Sequence, residues 1–135
     1  MSYERRVRTV NARIQAPALN SLGTDPIVLV PAPGVGYFVR VVGGLAVYSF
    51  GSVPFSVSGL IIEGGAVTWA EIGNAMTSNA NTLLPIDTET LGDRQDPGWT
   101  IENAPIVLTA SSVSGGDGQL DIWLDYMVLP MPVVD

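Results

Sequence analysis

Gln119-Leu120-Asp121-Ile122-Trp123-Leu124-Asp125-Tyr126-Met127-Val128-Leu129 is the stretch whose reading decides the fold class. In an extended chain Leu120, Ile122, Leu124, Tyr126 and Val128 share one face, and Asp121, Trp123, Asp125 and Met127 the other. Successive side chains of a strand point to opposite faces, so this alternation predicts a strand with one apolar side.

The neighbouring segments follow the same period. Residues 106–110 predict a strand, and the glycine-serine run 111–118 a turn leading into the stretch above. Residues 27–30 predict a short strand closed by Pro31-Ala32-Pro33-Gly34-Val35-Gly36. There Pro31 and Pro33 fix an extended path, and Gly34 and Gly36 permit a tight reversal. Residues 37–50 read as one long strand, or as two broken at Gly43-Gly44, a glycine pair that marks a bulge or a close backbone approach. Residues 54–63 predict a further strand, Gly64-Gly65 a turn, and residues 66–70 a short strand. Residues 71–85, rich in Asn, Ser, Thr and Ala, predict one short helical turn, and residues 87–98 a polar loop. Residues 5–14 read as an extended arm or a first strand.

About seven or eight short strands, frequent Gly/Pro turns and no amphipathic helix point to an all-β chain. The expected architecture is an antiparallel β-sandwich, jelly-roll-like, with an extended basic N-terminal arm (1–13) ahead of a single domain (14–135). No fixed-period repeat is present.

The chain has 135 residues, enough for one domain, and contains no cysteine, histidine or lysine. Disulfides, thiolate nucleophiles, Cys/His zinc sites, His-based triads and Schiff-base or P-loop lysines are thereby excluded. Hydrophobic residues make up 47% and charged residues 14%, against an average charged share of about 25%. So sparse a charge leaves much apolar surface, which implies cover by another chain. A membrane is a poor alternative, because the apolar run 37–57 is broken by Arg40, glycines and Pro54 and alternates like a strand. No signal peptide follows the first basic residues, so synthesis in a cytoplasm is expected.

Charge is uneven. Arg5, Arg6, Arg8 and Arg13 against Glu4 give the first thirteen residues a net +3, while the rest carries Arg40 and Arg94 against twelve acids, a net −10. Such polarity fits an arm that meets an acidic surface, and equally an edge strand protected by charge. Nucleic acid is not expected as a partner, since the acidic body repels phosphate at longer range.

Gly34-Val35-Gly36 follows a strand, but Val39 stands where a dinucleotide-binding fingerprint needs its third glycine, and no helix follows. The run from Gly115 to Asp121 approaches a calcium-binding nonapeptide, but its second aspartate arrives one residue late and no second copy exists. A hairpin turn is the simpler reading. Asp121 and Asp125 lie about 13 Å apart along one strand, too far for a glycosidase pair. Acids at 87, 89, 93 and 96 form a solvated loop or a weak divalent-ion site. Trp69, Trp99 and Trp123 read as core or interface anchors before they read as a sugar platform.

The segment from Leu19 to Gly36, with its Leu-Asn, its Pro26 and its Leu-Val-Pro-Ala-Pro-Gly, resembles small all-β virion structural proteins of tailed bacteriophages. Residues 103–109, the glycine-rich turn and residues 120–126 are similar to the last hairpin of that group. The likeness covers the two ends of the domain and leaves the middle unmatched, and the connection from Asn20 to Pro26 is longer than in the pattern. It carries no catalytic residues. Nor does it separate head decoration proteins from tail or fibre components. Sparse charge, a basic arm and an acidic body fit the former, so the expectation is a capsid decoration (cement) protein on the virion exterior, synthesised in the host cytoplasm, with the major capsid protein and other copies of itself, as a homotrimer, for partners. Arg5, Arg6, Arg8, Arg13 and Trp99 are the candidate partner-binding residues; no cofactor, metal, nucleic acid or membrane is expected. A tail or fibre module binding host glycan through the tryptophans and the 87–98 loop is the alternative.

Overall fold

The computed structural model describes residues 6–64, 67–86 and 102–131. In chain order these form β1 (Arg8–Ile14), the single-turn helix α1 (Ala16–Leu19), β2 (Ile27–Val30), β3 (Tyr37–Ser49), β4 (Ser56–Ser58), β5 (Ile61–Gly64), β6 (Val67–Glu71), the single-turn helix α2 (Gly73–Met76), β7 (Thr82–Ile86), β8 (Ile106–Thr109), β9 (Ser112–Ser114) and β10 (Gln119–Pro130).

β10 is the spine. It pairs antiparallel with β1 from Arg8↔Tyr126 to Ile14↔Leu120, and with β3 from Tyr37↔Pro130 to Ser49↔Gln119. Its alternation sets the packing, since Leu120, Ile122 and Leu124 are wholly buried while Trp123 between them is 38% exposed. Each such buried aliphatic contributes about 1.5–3 kcal/mol relative to exposure.

With β7 on the far side of β3, the strand order is β1-β10-β3-β7. A second four-stranded sheet has the order β2-β8-β5-β6, and β4 pairs with β9 in a small third. All pairings are antiparallel. One hydrophobic cluster draws on both larger sheets, with Ile14, Ala46, Tyr48 and Leu124 from the first and Leu29, Ile62, Trp69 and Leu108 from the second. Leu19 and Leu22, on α1 and the turn after it, are wholly buried in the same cluster.

The glycine pair in β3 has a physical reason. Val41 faces Tyr126 and Gly43 faces Asp125, so Val42 is the extra residue of a bulge. Gly44 has φ +153, and a Cβ there would overlap the Trp123 carbonyl oxygen and come within 3.2 Å of the Leu124 Cα. The two central strands can approach this closely only because the residue has no side chain.

Several segments depart from the sequence reading. Residues 54–63 hold two strands, because Gly59 at φ +68 turns the chain between β4 and β5. The run 111–118 contains β9, and 71–85 contains, besides α2, most of β7. Pro85 sits within β7 without disrupting the sheet because β7 is an edge strand, where a missing N–H is tolerated. Residues 8–13, assigned to the arm, are not free but lie in β1. The edge-strand reading is the one they adopt.

Candidate functional site

The outward face of the β1-β10-β3-β7 sheet is divided in two. Cross-strand register places Asn11, Trp123, Leu45 and Pro85 in one row, and Arg13, Asp121, Val47 and Leu83 in the next. On the β1 side the groups are polar and satisfied within the chain. Arg13 Nε donates to Asp121 Oδ1 at 2.9 Å, and the Thr9 hydroxyl donates to Asp125 Oδ1 at 2.6 Å. Asp121 is 5% exposed, and its second oxygen accepts from Gln119 Nε2 at 3.3 Å. These carboxylates hold the sheet together; they do not converge on a cleft.

On the β7 side the same face is apolar. Leu83 is 61% exposed, Trp123 is half exposed, Pro85 is exposed, and Leu45 and Val47 are half-buried between them. Alternation puts these side chains outside the core, with Leu83 and Trp123 the most open of the large ones. This apolar patch rimmed by polar groups is the candidate contact surface of the described residues.

The candidate partner-binding residues are not brought together. Arg8 and Arg13 lie at opposite ends of β1 and on opposite faces of the sheet. Arg13 forms the ion pair with Asp121, and Arg6 precedes the strand. Arg5, Trp99 and the 87–98 loop lie outside the described residues. Trp69 is 5% exposed and belongs to the core, which leaves Trp123 as the described tryptophan with a face available to a partner.

The proline-glycine turn is held by residues that carried no sequence signal. Gly34 and Gly36 have φ +112 and +91. The Gly34 N–H donates to Asn103 Oδ1 at 2.8 Å, and the Gly36 N–H donates to Glu102 Oε2 at 2.6 Å. The Asn103 N–H donates to the Tyr37 carbonyl at 2.7 Å, and Asn103 itself has φ +57. This clamp presents Val35, 81% exposed, at the tip. Behind the turn is an open groove of about 270 Å³ lined by Arg8, Val30, Pro31, Ala32, Pro33, Tyr37, Tyr126 and Val128.

Asp117, from the run that approaches a calcium motif, serves the loop before β4. It accepts from the Ser52 hydroxyl at 2.5 Å and from the Ser52 and Val53 amides at 2.8 and 2.9 Å. The Ser52 hydroxyl first, then the Val53 and Ser52 amides, hold its carboxyl below the ordinary value. Burial, with the Asp117 charge adding, pushes the Tyr48 hydroxyl above its ordinary value. That hydroxyl has no hydrogen-bond partner among the described residues. No group of three or more acids that could hold a metal ion occurs among the described residues, and none of their helices is long and apolar enough to cross a membrane.

The class defined so far is an all-β chain with, among the described residues, a partly exposed apolar patch on one sheet face and a basic strand at the sheet's edge. No family model matches it, nor does any curated protein or solved structure.

Proposed function

We propose that the chain is a non-enzymatic virion structural protein, a capsid decoration (cement) protein that oligomerises and clamps neighbouring major capsid subunits. In this reading the two four-stranded sheets pack as a jelly-roll-like sandwich, the oligomer is a homotrimer, and the assembled protein sits on the capsid exterior. The observation that carries it is the apolar outward face around Leu83, Pro85, Leu45, Val47 and Trp123. A second copy is the occupant that best fits. The patch has no charge of its own, whereas the chain as a whole is strongly acidic and two such bodies would otherwise repel. The resemblance of residues 19–36 and 103–126 to small virion proteins supplies the setting.

The patch spans three strands and three residues of length, roughly 10 Å by 7 Å between backbones. Standard interfaces bury about 800 Å² per partner, so grip on a particle would come from many weak contacts acting together.

Two measurements test this. Purified particles should hold a fixed copy number matching lattice symmetry points, on the head. Sedimentation should give a trimer for the native chain and a monomer for Leu83→Glu, with folding stability changed by no more than about 0.5 kcal/mol. A native chain that stays monomeric would refute the self-association. A few copies at the tail would support the glycan-binding alternative.

A further inference from the structure

The edge of β1 points to a particular kind of partner segment. Among the described residues β1 pairs with β10 alone, and no backbone hydrogen bond outside that ladder involves residues 8–14. Such an edge is a template for a strand from another chain.

Its charges select what can pair there. Arg13 is neutralised by Asp121 on the outward face. Arg8 is on the opposite face, in register with Tyr126, and makes no ion pair with a described residue. It lines the 270 Å³ groove, whose lining contains no acid although the chain carries a net charge of −7. A second copy of β1 would bring its own arginines to the same edge, and like charges placed together oppose pairing. A strand with a carboxylate there would be attracted.

We propose that β1 accepts, as an added strand, an extended segment of a partner protein carrying one carboxylate opposite Arg8 and an apolar side chain two residues away. Residues two apart on a strand share a face, so the carboxylate would meet Arg8 while the apolar group lies on the same side of the sheet, at the Arg8 margin of the groove. The inference names the kind of segment by which the attachment proposed above is made, and it rests on that reading for where the partner is found.

The probe is a synthetic, end-capped peptide Thr-Val-Asp-Thr-Leu-Thr-Val, titrated against the isotope-labelled full chain at low salt. Amides of residues 8–13 should shift and become protected from exchange. Arg8→Gln should weaken binding about three- to fivefold, as expected for an exposed ion pair. Replacing Asp by Asn in the peptide should cost the same, and the two changes together no more than either alone. Methylating the peptide backbone nitrogens should abolish binding. Shifts confined to the Trp123 face, equal affinity for Arg8→Gln, or no saturable binding up to about 1 mM would each overturn the inference. Particle attachment of the native and Arg8→Gln chains is measured alongside. Attachment without peptide binding refutes the added strand and leaves the decoration role standing. Peptide binding by a chain absent from particles refutes that role and leaves the added strand.

Discussion

Gly43 and Gly44 are neighbours in β3, yet the structure assigns them opposite tolerances to a methyl group. At Gly44 a Cβ would overlap the Trp123 carbonyl oxygen, and the φ of +153 disfavours any L side chain. Relief requires β3 and β10 to separate by about 1 Å, enough to lose two or three ladder hydrogen bonds at about 1 kcal/mol each. Backbone strain adds about 1 kcal/mol. Gly44→Ala should therefore cost about 4 kcal/mol. Unfolding entropy near 2.1 cal/mol/K per residue makes that a Tm loss of roughly 14 °C for this chain. At Gly43 the nearest atom to a Cβ is the Ile86 carbonyl oxygen at 3.4 Å, with no φ penalty. Gly43→Ala should change stability by less than about 1 kcal/mol, because reduced freedom of the unfolded chain offsets the tighter contact. Paired thermal and urea unfolding of the two variants is the assay. Equal losses at both positions, or a loss under about 1 kcal/mol at Gly44, would refute the bulge register on which the sheet assignment depends.

Three further outcomes follow from local chemistry. Tyr48→Phe removes a buried hydroxyl with no partner among the described residues, so urea unfolding should show no loss, and up to about 1 kcal/mol of gain; a clear loss would mean that the hydroxyl is satisfied after all. Asp117 has a lowered folded pKa, so the stability it contributes is complete above its unfolded pKa of about 3.9 and disappears as pH falls through the folded value. A carboxyl NMR titration should show Ser52→Ala moving that pKa back up, and an unmoved value would show that the Ser52 hydroxyl is not the leading cause. Asn103→Ala loses both the Gly34 hydrogen bond and a residue suited to φ +57, at about 2 kcal/mol, whereas Asn103→Gly loses only the bond, at about 1 kcal/mol. Reversed order in chemical denaturation would remove the clamp from the account of the turn.

How much of this was legible before the structure depends on whether each segment carried its own signal. β10 and β3 did, because strict alternation over a long strand survives any tertiary context, and the Gly43-Gly44 pair marked the close approach correctly. β2 and its proline-glycine closure were equally clear. β7 was obscured because Thr82-Leu83-Leu84-Pro85-Ile86 contains a proline, and only its edge position makes that proline harmless. The clamp by Glu102 and Asn103 was invisible, since the residues it joins are more than sixty positions apart. The three tryptophans also looked alike in sequence. Strand parity separates two of them, placing Trp69 in the core and Trp123 on the outward face.

The basic N-terminal segment shows how the same parity sharpens a charge argument. Counted together, its arginines suggest a uniform positive arm. Placed on β1, Arg13 becomes part of the sheet through Asp121, and Arg8 stands on the other face beside an acid-free groove. The segment thus acts as two different groups rather than one field. The apolar patch lies on the broad side of the sheet, and the open edge of β1 lies in the sheet's own plane at the opposite margin from β7. Contacts made perpendicular to a sheet and contacts made along its edge do not compete for the same atoms. A chain that joins other copies through the first can therefore still offer the second to a different protein, and a clamp between neighbouring subunits requires that pair of separable surfaces.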